Sequence, residues 1–76
     1  MKPIYLRTAR ERKRWTQEDL EAKSGVAQAI ISRLERTPDA EANFTTVANL
    51  ADALEIADPR DLKFGPDPKR QERLSA

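Results

Sequence analysis

The stretch that most constrains how this chain can fold is Thr16–Arg36, TQEDLEAKSGVAQAIISRLER, because it fixes where one helix starts, where it stops and how soon the next begins. Thr16 is a capping residue whose hydroxyl can accept the amide of Asp19, and Asp19 at N3 can return the bond as in a capping box. Trp15, just ahead of the cap, can staple onto Leu20 at N4. Gly25 then supplies a left-handed residue that turns the chain without a Cβ penalty. Val26 leads into a further helix, Gln28 to Glu35, with Ile31 and Leu34 inward. Two short helices joined by so brief a glycine turn cross steeply, and the second projects from the body. Taken alone, this spacing is equally that of an ordinary αα-corner.

The flanking sequence supplies the support. Pro3 suits the first turn of a helix over Ile4 to Lys13, with Leu6, Ala9 and Tyr5 inward. Arg10 falls on the Leu6 side of that helix, so it needs a carboxylate partner near the core edge. After the polar loop RTPDAEAN, Asn43 caps a fourth helix in which Val47, Leu50, Ala51 and Leu54 recur at i, i+3, i+4 and i+7. Asp58 and Pro59 open a short fifth helix, with Asp61 at N3 and Leu62 as its apolar residue. The expected fold class is therefore all-α, a compact bundle of five short helices. Residues 1–64 form the domain, and the polar tail 65–76, GPDPKRQERLSA, is expected to be flexible or ordered by a partner.

Composition narrows the chemistry. With 76 residues, the chain is near the lower size at which a single core suffices. It contains no cysteine and no histidine, which argues against thiolate chemistry, a disulfide framework and the usual metal ligands. It also has no glycine-rich phosphate loop, so the expectation is no enzyme, no cofactor and no metal. No segment approaches the ~20 apolar residues of a membrane span, and the first residues hold no apolar run of signal-peptide length, so a cytoplasmic location is expected. The net charge is only +1, but residues 1–36 carry nine Lys/Arg against five Asp/Glu, while residues 37–76 carry five against eight. A basic first half fits an anionic partner; as an isolated clue it is only a solvated surface.

The run LRTARERKRWTQEDLEAKSGVAQAIISRLER resembles the DNA-binding domain of the phage repressor/Cro-type helix-turn-helix family, often called XRE-like. Arg10, Thr16-Gln17, Leu20, Gly25-Val26, Gln28, Ile31-Ser32 and Leu34-Glu35 carry the match. LADALEIADPRDL is similar to the family's closing two helices. The resemblance spans about residues 4–64 and implies a lambda-repressor-like domain. It also implies sequence-specific regulation of transcription, as a repressor binding double-stranded DNA. Departures are Arg14 where the family usually has glycine, Glu21 at a usual alanine, Ala27 in place of a Ser/Thr cap, and the acidic Asp39 and Glu41. Arg14 implies a left-handed arginine at about 1–2 kcal/mol or a different helix end. Glu21 has to lay its aliphatic stem across the packing seam. The uncapped Ala27 leaves the amides of the third helix for a DNA phosphate.

By this resemblance Arg10 and Glu35 form an ion pair tying the first helix to the end of the third. Gln28, Ala29, Ser32 and Arg33 form the base-reading face. Gln28 is suited to adenine, Ala29 to a thymine methyl, and Arg33 to guanine O6 and N7 or to phosphate. Ser32 can contact either base or phosphate. Phosphate contacts are assigned to Thr16, Gln17, Lys13, Arg14, Arg36, Asn43, Phe44 and Thr45. Gln17 is also expected to brace Gln28. Ile30 is read as core against the fourth helix, with methyl readout as its alternative, and Trp15 as core edge rather than a base-stacking ring. A homodimer is expected through Leu54–Phe64, where Leu62 and Phe64 would form an exposed apolar patch, on a palindromic operator with third helices about 34 Å apart. Two other functions fit the same residues. One is an autoregulating antitoxin that masks a toxin with its tail; the other is a protein-interaction module that has lost the DNA face.

Overall fold

In a computed structural model, which describes residues 3–68, the caps stand where the sequence puts them. The Thr16 hydroxyl accepts the Asp19 N–H at 3.0 Å and the Asp19 carboxylate accepts the Thr16 N–H at 2.9 Å, completing the capping box. This starts α2, Gln17–Ser24, which ends at left-handed Gly25 (φ 78°). After the turn comes α3, Gln28–Arg36. The Asn43 side chain accepts the Thr46 N–H at 2.8 Å and opens α4, Phe44–Ala53. Thr16→Ala is expected to lower stability by about 1 kcal/mol through loss of the cap, measured as a shift in denaturation midpoint.

The first helix, α1, covers Leu6–Arg12 and ends in a Schellman motif: Trp15 N–H donates to Arg10 O (3.3 Å) and Arg14 N–H to Glu11 O (2.9 Å). Arg14 is left-handed at φ 60°, the strained form of helix end. The end of α4 repeats this geometry. Ile56 N–H reaches Ala51 O (2.8 Å), Glu55 N–H reaches Asp52 O (3.1 Å), and Glu55 sits at φ 60°. Neither end has the glycine that would relieve the strain, so the paired carbonyls offset it.

Two expectations are corrected. The described residues form four α-helices, not five, because Pro59–Asp61 makes only a single 3-10 turn, its Arg60 N–H held by Asp58 at 2.9 Å. The first helix also starts later than Ile4: Ile4–Tyr5 form a strand, β1, that pairs in parallel with β2, Leu62–Lys63, in the register Ile4 with Leu62 and Tyr5 with Lys63. Strands this short leave no period-2 signature to read.

The core gathers Leu6, Ala9, Leu20, Val26, Ile31, Leu34, Leu50, Ala51, Leu54 and Leu62. Leu62 is thus an interior residue, and with Phe64 only half-buried the exposed apolar patch expected of that pair is not present. Trp15 packs at the core edge. Residues expected to begin the tail are also engaged. The Gly65 N–H donates to Leu34 O at 2.7 Å, satisfying a carbonyl in the last turn of α3, and the Thr8 hydroxyl donates to Asp67 at 2.8 Å. Tail residues 69–76 lie outside the described residues.

Candidate nucleic-acid interface

The orientation of α3 is set from inside by a buried polar cluster. Arg10 holds Glu35 in bidentate fashion, Nε to Oε2 at 2.7 Å and Nη2 to Oε1 at 3.0 Å, while its Nη1 donates to Trp15 O at 2.7 Å. Gln17 Nε2 adds a bond to Glu35 Oε1 at 3.1 Å. The hydrogen bond to Glu35 raises the Arg10 pKa, against the opposing effect of burial. One cluster thereby joins α1, the start of α2 and the end of α3. Among the described residues, no buried side-chain polar atom lacks a partner. Gln17 braces Glu35 and not Gln28, because the start of α2 lies by the end of α3.

With Ile31, Leu34 and Glu35 turned inward, α3 leaves Gln28, Ala29, Arg33 and Arg36 exposed and Ser32 half-buried. Ile30 is 38% exposed, so it is not the core residue expected; it lies on the outward arc next to Arg33. The Arg36 Nε donates back to Ser32 O at 3.3 Å, holding that guanidinium along the helix.

The start of α3 differs from expectation. Ala27 gives no side-chain cap, yet the Gln28 N–H is not free, since the Glu21 carboxylate on α2 accepts it at 3.2 Å. Glu21 is therefore a cap supplied from the neighbouring helix, a role the sequence reading missed. The signal was a carboxylate on the last turn before the glycine, facing a helix whose own first residues offered no acceptor.

The remaining basic and polar candidates sit at helix ends. Thr16 and Gln17 open α2; Asn43, Phe44 and Thr45 open α4, all three exposed. Phe44 is 75% exposed, an unusual position for a large apolar ring. Arg14 is exposed after α1. Lys13 is half-buried: its Nζ pairs with Glu55 at 2.6 Å and lies 5.4 Å from the centre of the Trp15 ring, as does Lys23. The Lys13 hydrogen bond lowers the Glu55 pKa. Any stability this pair adds is present at neutral pH and lost as pH falls through that lowered value, and solvent screens it.

No helix among the described residues is long and apolar enough to cross a membrane. No curated protein and no solved structure matches the chain significantly. A family model described as helix-turn-helix matches residues 6–61, from the first residue of α1 to the 3-10 turn, and so takes in all four α-helices of the described residues. The family is one of DNA-binding regulators, and an exposed second helix after the turn is what such a fold presents to the major groove. The chain belongs to the Cro/C1-type, XRE-like helix-turn-helix family.

Proposed function

We propose that the protein is a cytoplasmic, sequence-specific transcriptional repressor that binds a palindromic operator as a homodimer, with α3 of each copy in the major groove. The observation that carries this reading is the outward arc of α3. Gln28, Ala29 and Arg33 are exposed on a helix whose inner face is locked by the Arg10–Glu35–Gln17 cluster. In this reading Gln28 and Arg33 read bases, with Ala29 against a thymine methyl and Ser32 against base or phosphate. Thr16, Gln17, Asn43, Phe44 and Thr45 offer helix-end amides and polar groups to phosphates, and Arg14, Lys13 and Arg36 add positive charge. Lys13 and Arg36 give up intramolecular contacts to do so. Pairing through Leu54–Phe64 uses its half-buried Ile56 and Phe64, since Leu54 and Leu62 belong to the interior.

Selection of bound duplexes from a random pool tests this directly. The expected outcome is a two-fold symmetric site with half-sites about ten base pairs apart. If six phosphates are neutralised per dimer, the logarithm of affinity falls against the logarithm of salt concentration with a slope of about −5. Arg33→Ala should relax one position of each half-site by about 1–3 kcal/mol of discrimination, whereas Arg14→Ala weakens all sequences alike. Binding indifferent to salt would end the reading.

A further inference from the structure

Glu21 stands one helix away from the reading face and yet touches its first residue. The N–H of Gln28, at N1, is one of the donors that begin α3 without an acceptor inside the helix, and the Glu21 Oε2 accepts it at 3.2 Å; a hydroxyl at Ala27 would serve the N2 or N3 amide instead. Glu21 is exposed, and this amide is its polar contact among the described residues. None of the four ion pairs among the described residues includes it, so its charge is not neutralised by a neighbouring cation. The amino end of the α3 dipole further favours a carboxylate there. An unneutralised, acceptor-only group is thus anchored beside Gln28.

We infer that Glu21 is a specificity-determining residue of the DNA interface, selecting at the base pair beside Gln28 for a base that turns an amino group toward it. This rests on α3 being the reading helix. A carboxylate can only accept hydrogen bonds, so adenine N6 or cytosine N4 suits it, while guanine O6 and N7 or thymine O4 present acceptor against acceptor. Its charge also keeps phosphate oxygens away from the amino end of α3, which the chain caps internally and not with DNA.

Selection from a random duplex pool with the full chain tests the assignment, using wild type, Glu21→Gln and the double variant Glu21→Ala/Ala27→Ser. The amide in the first variant keeps an acceptor for Gln28 N–H but adds a donor; the hydroxyl in the second restores a cap without any carboxylate. Wild type should prefer the amino-presenting bases by about fivefold or more at one position of each half-site. Both variants should fall to less than about twofold there with the other positions unchanged, and should melt close to wild type. The same preference in all three proteins overturns the inference while leaving α3 as the reading helix. Loss of binding by a variant that still folds overturns it too. Failure of wild type to enrich any site removes the reading on which it rests.

Discussion

Glu35→Ala is expected to cost about 3–5 kcal/mol, because it leaves the Arg10 guanidinium buried without its carboxylate. A domain of 76 residues has roughly 4–11 kcal/mol to lose at typical stability per residue, so much of the protein should be unfolded at room temperature in modest denaturant. From the sequence, Arg10→Met is expected to be the gentler change, on the ground that only Glu35→Ala strands a buried charge. The geometry argues otherwise. The Glu35 side chain is 3% exposed against 11% for Arg10, so removing the arginine strands the more deeply buried charge, with only the Gln17 amide for support. Both single variants should therefore fall in the same range. Arg10→Met/Glu35→Leu should recover at least half of the loss, as apolar replacement of a whole buried pair often does. Urea denaturation of the three proteins measures this; a double variant as unstable as either single one would show that the pair contributes more than mutual neutralisation.

Gly65→Ala should cost about 2–3 kcal/mol, combining a left-handed backbone at φ 90° with a Cβ that has no room. That Cβ would stand 3.0 Å from Pro38 Cα and 3.0 Å from Thr37 O, both main-chain atoms of the turn after α3. The segment would have to retreat, lengthening its 2.7 Å bond to Leu34 O. Gly25→Ala is the control. It carries a similar backbone penalty at φ 78°, but nothing lies within 4 Å of the added methyl, so its cost should stay near about 1–2 kcal/mol. Thermal denaturation of both variants separates steric closure from backbone strain; equal losses would mean that the turn yields freely.

The elements that were legible in the sequence are those specified locally. Thr16, Asp19, Gly25 and Asn43 each act within a few residues of themselves, so their chemistry can be read without knowing the fold. The Arg10–Glu35 contact was accessible only through the family resemblance, since 25 residues separate its partners. What escaped was non-local and brief. β1 and β2 are too short to show alternation, and the placement of Leu62 inside depends on that pairing. The path of Gly65 and Asp67 depends on a turn and a threonine elsewhere in the chain. Ile30 falls beside Arg33, outside the arc that Ile31, Leu34 and Glu35 turn inward, and two adjacent isoleucines do not by themselves say which of them that arc includes. For Glu21, the expectation concerned its stem, laid across the packing seam; what stayed hidden was the Gln28 amide that its exposed carboxylate meets.

The parallel pairing of Ile4 with Leu62 joins points 58 residues apart and so encloses almost the whole described chain. Closing so long a loop costs entropy that a ladder of two-residue strands repays poorly, so it should form late in folding and open first in the native state. Hydrogen exchange would then show two tiers: amides of β1, β2 and Gly65 released by sub-global opening, and those of α2 and α3 exchanging only through global unfolding. A protein of this design can let β1 and β2 part and rejoin many times while α2 and α3 keep their shape.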